Sequence, residues 1–244
     1  MIAALHPCSF VDFPGRLAAV VFTQGCNLRC RYCHNPELCS PMGERTMPRT
    51  AVIELLERRQ GKLDGVVITG GEPTLHDDLA ALLADVRGLG YATKLDTNGT
   101  RPAMVATLVE QHLLDFVAVD VKLPPGADSS DLCGTPNQGS ASVETLAALS
   151  TTDILTEART TVVRGIHDAS VLDGIAHALS RAGVIRWRIQ PVGAHRLLDR
   201  SVPAVPLQDD VLAHACSTAR ALGIETTIRA TPRLQRTSPD TVQR

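Results

Sequence analysis

The stretch Cys26-Asn-Leu-Arg-Cys30-Arg-Tyr-Cys33-His34 places three cysteines within eight residues, in the spacing C-x3-C-x2-C. A fourth cysteine at a comparable spacing does not follow. An iron–sulfur cubane that only carries electrons is held by four thiolates, so three thiolates leave one iron open to bind a molecule that reacts. The motif therefore predicts a [4Fe–4S] cluster held by Cys26, Cys30 and Cys33, at a catalytic site.

Three other interpretations of the same motif stay open on spacing alone. Cys30-Arg-Tyr-Cys33-His34 is C-x-x-C-H, the attachment pattern of c-type haem, but the first ten residues show no basic start or apolar run that would predict export. Zinc is a second alternative, because Cys26, Cys30, Cys33 and His34 make a Cys3His set, although structural zinc usually takes its ligands from two separated pairs. A thioredoxin-like redox pair is the third, and it gives Cys26 no role.

A second motif follows a predicted buried strand. Gly65-Val-Val-Ile-Thr69 is a short apolar run of the kind that forms parallel strands, and Gly70-Gly71-Glu72-Pro73 comes directly after it, before a predicted helix. Two glycines at the end of a strand allow the backbone to approach a ligand closely and expose amide and carbonyl groups to it. An ordinary strand-to-helix turn would explain the glycines alone, but it does not explain the two motifs in this order.

Together these motifs resemble the radical S-adenosylmethionine (SAM) enzymes. Within that family the sequence is most similar to the activators of glycyl-radical enzymes, and above all to those of anaerobic ribonucleoside-triphosphate reductase. The resemblance runs from about Phe10 to Val192 and matches mainly in layout over its last third. The residues that carry it are Asp12-Phe-Pro-Gly15, Phe22-Thr-Gln-Gly25, Cys33-His-Asn-Pro36, Gly70-Gly-Glu-Pro73, Asp96-Thr-Asn-Gly99 and Asp120-Val-Lys122.

The resemblance implies a function. A single [4Fe–4S] cluster would bind SAM, cleave it reductively to a 5′-deoxyadenosyl radical, and so generate a glycyl radical on a partner enzyme. A flavodoxin or ferredoxin would supply the electron. The arginines around the cysteines, Arg29, Arg31, Arg45 and Arg49, would attract such an acidic donor, and a merely solvated basic loop is the competing interpretation. Two alternatives remain: a radical enzyme that acts on a small molecule, of the deazapurine carboxylic-acid synthase type, and a zinc-binding or electron-carrying interaction protein.

The resemblance also implies which side chains contact SAM. Lys122 would bind its carboxylate, and Asp96 would lie near its ribose or methionine end. Tyr32 is predicted to lie against the adenine because of its position between two cluster ligands, and an aromatic ring that fills a gap in the loop is the competing interpretation. His34 would help to shape the cysteine loop, and Asp120, with Asp96 and Thr97, would hold a hard cation, for which oxygen ligands are suited. The remaining predicted cofactor contacts are Gly70, Gly71 and Glu72.

One expected contact is missing. In activators of the pyruvate formate-lyase type a histidine follows the proline of the last barrel strand by two residues, and here Gly193 takes that position. Gln190 or His195 is the predicted replacement. Among the other cysteines, Cys39 is the one spare ligand that the sequence offers, and packing as a buried thiol is the competing interpretation.

Composition and periodicity predict the fold. The chain has 244 residues and a net charge of −2, which gives no sign of a nucleic-acid partner. It has no apolar run long enough to cross a membrane, and its cysteines are not paired in sequence, so a reducing, cytoplasmic location is expected. One domain is predicted over residues 1–230, with a frayed polar tail over residues 231–244.

Strands and helices are predicted to alternate along the chain, the pattern of a parallel sheet. An α/β fold is therefore expected, and the resemblance makes it the open (β/α)6 partial TIM barrel of the radical SAM type. The predicted strands are Leu17–Thr23, Gly65–Thr69, Ala92–Asp96, Phe116–Val121, Arg159–Arg164 and Ile185–Gln190, with a further helix at Asp209–Leu222 and a further strand at Thr226–Arg229. Thr74 and Asp77 are predicted to cap the helix after the second motif, and Leu123–Ser142 to form the longest linker.

Overall fold

The computed structural model describes residues 2–42, 46–193, 197–203, 205 and 207–229. Eight strands form one sheet in the order of the chain, and helices cover it. The strands are β1 (Ile2–Ser9), β2 (Ala18–Thr23), β3 (Gly65–Gly70), β4 (Ala92–Thr97), β5 (Phe116–Asp120), β6 (Leu155–Val162), β7 (Arg186–Pro191) and β8 (Glu225–Ile228). The helices are α1 (Arg49–Glu57), α2 (Leu79–Gly88), α3 (Pro102–Glu110), α4 (Ser130–Cys133), α5 (Gln138–Leu149), α6 (Ala169–Arg181) and α7 (Asp209–Ala221).

Strands β2 to β8 are parallel, each hydrogen-bonded to the next in sequence. Because parallel strands all run the same way, their carboxyl ends lie at one edge of the sheet, where α/β folds place their sites. The predicted α/β architecture is therefore confirmed, as are the six predicted strands and the additional strand β8. No described helix combines the length and the apolar character that a membrane crossing requires.

Apolar side chains fill both faces of the sheet. On the helical side, Leu79, Leu82, Leu83 and Val86 of α2 are all buried, as their spacing on one helix face predicts. Burial of each such leucine stabilises the folded state by about 1.5–3 kcal/mol. A smaller cluster, which includes Phe13 and Phe116 with their rings edge to face, fills the other side.

Two local predictions were wrong, and one strand is absent from the predictions. The absent strand is β1, an edge strand that is antiparallel to β2 and irregular in register between His6 and Ser9; an edge strand tolerates the missing N–H of Pro7. Thr74 does not cap α2, because Asp78 is the N-cap and Thr74 bonds to Glu72 instead. The predicted linker Leu123–Ser142 contains α4 and the start of α5. The predicted tail lies outside the described residues, and the prediction of a single domain stays a prediction.

Candidate functional site

A cavity of about 200 Å³ opens at the carboxyl ends of the parallel strands. The three cysteines of the first motif line it together with side chains from β4, β5, β6 and β7. Of the predicted site residues, those that line the cavity are Cys26, Cys30, Tyr32, Cys33, His34, Gly70, Gly71, Asp96, Asp120 and Lys122. The sequence motifs therefore meet in one place.

Residues 25–40, which we call the cysteine loop, fold back on themselves. The amide of Gly25 donates to the carbonyl of Leu38 at 2.8 Å, and the amide of Cys26 donates to the carbonyl of Cys39 at 3.3 Å. The side-chain amide of buried Gln24 donates to the carbonyls of Glu37 and Ser40 at 2.9 and 2.7 Å. These hydrogen bonds hold the backbone that carries the thiols.

The thiols differ in their surroundings. Burial raises the pKa of Cys26, and a hydrogen bond with Cys133, together with burial, raises the pKa of Cys30. Cys39 lies against Cys33, with the two sulfurs 3.8 Å apart, and this contact lowers the pKa of Cys33 to about 6. Three thiols around one cavity fit a cluster, because each binds a different iron. In the described part of the chain no three Cys, His, Asp or Glu side chains are arranged to hold a single metal ion.

The two glycines of the second motif pack against the cysteine loop. Gly70 has φ +116°, and a Cβ there would lie 2.3 Å from the amide nitrogen of Thr23. A Cβ on Gly71 would lie 2.0 Å from the carbonyl oxygen of Gly25. The sequence predicts that these glycines make room for a ligand; in the structure they also make room for the backbone of the neighbouring strand and loop.

Glu72 is fully buried and is not among the cavity-lining residues. Its carboxylate accepts hydrogen bonds from the hydroxyl and amide of Thr74, from the hydroxyl of Thr97 at 2.7 Å and from the amide of Asn98 at 2.7 Å. Burial raises its pKa, and these bonds oppose that rise. Glu72 therefore connects the ends of β3 and β4 below the site, whereas the sequence places it among the cofactor contacts.

A chain of partly buried ion pairs lies at the floor of the cavity. In order it is Lys94, Asp96, Arg159, Asp120 and Lys122, and sequence reasoning missed both Lys94 and Arg159. The Arg159 guanidinium donates to Asp96 at 2.8 Å and to Asp120 at 3.0 Å. Burial alone would raise the pKa of both carboxyl groups, but the neighbouring cations lower it below the usual value. The carboxylates predicted to hold a hard cation are thus already paired.

Lys122 is held on all sides. Its ammonium lies 3.5 Å from the Asp120 carboxylate and 5.6 Å from the centre of the Tyr32 ring, a cation–π contact. Its backbone N–H donates to the side-chain oxygen of Gln138 at 3.1 Å, and its carbonyl accepts from the Nε2–H of buried His167 at 2.8 Å. Gln138 also donates to the carbonyls of Asp120 and Asn98.

Tyr32 is 96% buried, packed with Leu123, Leu132 and Val163, and one face of its ring is covered by Lys122. Its hydroxyl is buried with no hydrogen-bond partner among the described residues. Little of the ring is therefore free to lie against an adenine.

The imidazole of His34 occupies the place next to Gly193. The amide of Gly193 donates to Nε2 of His34 at 3.3 Å, and a Cβ at position 193 would lie 3.0 Å from Cε1 of His34. Gln190 lines the cavity as predicted and donates to the hydroxyl of Thr161 at 2.8 Å. His195, the other predicted replacement, lies outside the described residues.

The predicted basic surface is largely compensated. Arg31 pairs with Asp131 and Asp199, and Arg49 pairs with Asp85. Arg29 donates to two carbonyls of its own loop. Arg45 lies outside the described residues.

Comparisons with known proteins identify the family of the chain. The family described as the Radical SAM superfamily matches residues 20–178. A Methanocaldococcus jannaschii protein named as a glycyl-radical enzyme activating enzyme is 35% identical over 123 residues, 50% of each chain. The pyruvate formate-lyase-activating enzyme of Streptococcus mutans is 35% identical over 123 residues, 46% of each chain.

A relative of another kind is the 7-carboxy-7-deazaguanine synthase of Halobacterium salinarum. It is 41% identical over 86 residues, 35% of this chain and 33% of that protein. The chain thus spans half or less of the length of these three relatives. Among solved structures, SuiB of Streptococcus suis bound to the precursor peptide SuiA covers 86% of this chain and 48% of its own, with a TM-score of 0.69 and 13% identity, a likeness of fold.

Proposed function

This chain belongs to the radical SAM superfamily, and we propose that within it the chain activates a glycyl-radical enzyme by removing a hydrogen atom from a glycine α-carbon. The observation that carries the proposal is the cavity that three motif cysteines share with Lys122 and the paired carboxylates. Relatives named as activating enzymes support it.

The chain's own residues would hold the two cofactors. Cys26, Cys30 and Cys33 would each bind one iron, on a loop whose backbone is hydrogen-bonded to itself and to the side chain of Gln24. When bound, the cluster supplies the electron that cleaves SAM and yields the 5′-deoxyadenosyl radical. Lys122, whose pKa is raised well above its ordinary value although burial opposes this, keeps the positive charge that a carboxylate requires.

Most of the other predicted contact residues also lie at the cavity. Gly70, Gly71, Tyr32, His34 and Asp96 line the same cavity and would contact SAM. A hard cation at Asp96, Thr97 and Asp120 would have to displace Arg159 from both carboxylates, so the proposal contains no cation.

The substrate would be a protein segment. The glycine must leave its own fold and enter the cavity. Hydrogen-atom abstraction needs no general acid or base, so placing the α-carbon close to the radical is the contribution of the cavity. Anaerobic ribonucleoside-triphosphate reductase is the partner that the motifs favour, and a flavodoxin or ferredoxin in the cytoplasm is the proposed electron donor. A second candidate function, carboxy-deazaguanine synthesis from a small molecule, is favoured by one relative.

Electron paramagnetic resonance tests the proposal. The anaerobically reconstituted protein, with dithionite, SAM and an anaerobic ribonucleotide reductase, should produce the doublet of a glycyl radical. The Cys26→Ala variant should hold less iron and give no doublet, and Cys216→Ala, which alters a thiol of α7, should behave as the wild type. Production of 5′-deoxyadenosine without a doublet on any glycyl-radical enzyme, together with consumption of a deazapurine precursor, would establish the second candidate instead.

A further inference from the structure

Cys39 is a buried thiol directly beside a cluster ligand. Cys39 is 6% exposed and lines the cavity, and its sulfur lies 3.8 Å from the sulfur of Cys33. Its position is set by the backbone, because the amide of Cys39 donates to the carbonyl of Pro36 and its carbonyl accepts from the amide of Cys26. The contact between the two sulfurs is thus built into the cysteine loop.

Cys39 cannot bind a further iron while Cys33 binds its own. Two sulfurs at 3.8 Å are in van der Waals contact, whereas the thiolates on separate irons of a cubane point away from one another. Each iron of a [4Fe–4S] cluster takes one protein thiolate, so the iron that Cys33 would bind has no position for Cys39. Cys39 would therefore remain a thiol, with the sulfur of Cys33 as an acceptor within reach of its S–H.

We infer that the Cys39 S–H donates a hydrogen bond to the Cys33 thiolate on the cluster and thereby raises the cluster's reduction potential; this rests on the proposed cluster site. In the cluster-free protein either sulfur can be the donor. Once Cys33 is an iron-bound thiolate it has no proton, so Cys39 is the donor. A charged acceptor strengthens even a weak donor.

The direction of the effect follows from charge. Reduction adds one electron to the cluster and its thiolates, and a hydrogen bond stabilises the more negative state. Hydrogen bonds to the sulfurs are one of the factors that set the potential of iron–sulfur clusters, and solvent exposure is another. The two factors act oppositely when Cys39 is truncated: the lost bond lowers the potential, whereas water admitted to the space would raise it.

The test is a redox titration of the reconstituted protein without SAM, followed by the resonance signal of the reduced cluster. Cys39→Ala should keep the wild-type content of iron and sulfide and titrate at a more negative potential. Cys39→Ser, which keeps a hydroxyl donor, should titrate between the two, and Cys216→Ala should match the wild type.

An unchanged or more positive potential in Cys39→Ala, with full iron content, would overturn the inference. Loss of iron in that variant would overturn it too, since Cys39 would then be a ligand. A wild-type protein that takes up no cluster would instead refute the proposed function, and so the two failures are distinguishable.

Discussion

Lys122 keeps its charge while buried because its ammonium lies beside the Asp120 carboxylate and the face of the Tyr32 ring. Replacing it with Met, which has a similar length, removes the ammonium but leaves Asp120 paired with Arg159. We expect the variant to fold and to bind SAM about 10- to 150-fold more weakly, the equivalent of about 1.5–3 kcal/mol for a hydrogen bond to a charged group. Calorimetry on cluster-loaded protein measures this, with exposed Lys62→Met as the control. Equal affinity in both variants would mean that Lys122 does not bind the carboxylate.

At the scale of residues, sequence reasoning found what lies in motifs and missed what depends on a partner across the sheet. The cysteines, Asp96 and Lys122 stand in recognisable patterns, and all line the cavity. Arg159 has no motif around it, and its role appears only once β6 is placed beside β5. A charged residue inside a predicted strand was the one available signal.

At the scale of elements, the end of β3 depends on the absence of two side chains. Gly71→Ala would put a Cβ 2.0 Å from a backbone carbonyl of the cysteine loop, so the loop must shift. We expect the cluster-free protein to lose about 1–3 kcal/mol in the free energy of unfolding, or more, and to take up less iron. Gly88→Ala, in α2 with open space around it, is the matched control and should be neutral or stabilising by up to about 1 kcal/mol. Urea unfolding measures both, and similar values would contradict the prediction.

Helix α5 reaches the site through its first residue. Gln138→Leu leaves the N–H of Lys122 and the carbonyls of Asp120 and Asn98 without this partner. Each unsatisfied buried group costs about 1–3 kcal/mol, so we expect a clear loss of unfolding free energy and weaker SAM binding as Lys122 shifts. Gln111→Leu, an exposed position after α3, should stay within about 0.5 kcal/mol of the wild type. If both variants unfold at the same urea concentration, the Gln138 side chain does not position Lys122.

The start of α5 was predicted as linker for a physical reason. Pro, Gly and Ser dominate residues 123–142, and the local propensity of such a segment favours turns. Tertiary contacts decide otherwise: a Cβ on Gly139 would lie 2.1 Å from the carbonyl of Leu123, and Ser142 and Thr145 are buried. Helices and strands with strong periodicity, such as α2, were predictable because their own sequence carries the signal.

At the scale of the whole molecule, the buried charges and imidazoles make stability depend on pH, and His167 determines one range of it. Its Nδ1 accepts from the amide of Val163 while Nε2–H donates to Lys122, so the folded protein needs the neutral ring, and burial lowers its pKa. The unfolded chain takes up this proton near pH 6.5. The contribution of His167 to the free energy of unfolding is therefore complete above that pH and is lost below it, by at most about 1.4 kcal/mol per pH unit. The lowered pKa values of Asp96 and Asp120 add a further loss below about pH 4, whereas Glu72, with its raised pKa, acts in the opposite direction.

Urea unfolding of the cluster-free protein between pH 8 and pH 5 should therefore show a steeper decline in the wild type than in His167→Gln, whose amide can make both hydrogen bonds without titrating. Parallel declines would show that His167 is protonated as readily in the folded state as in the unfolded one.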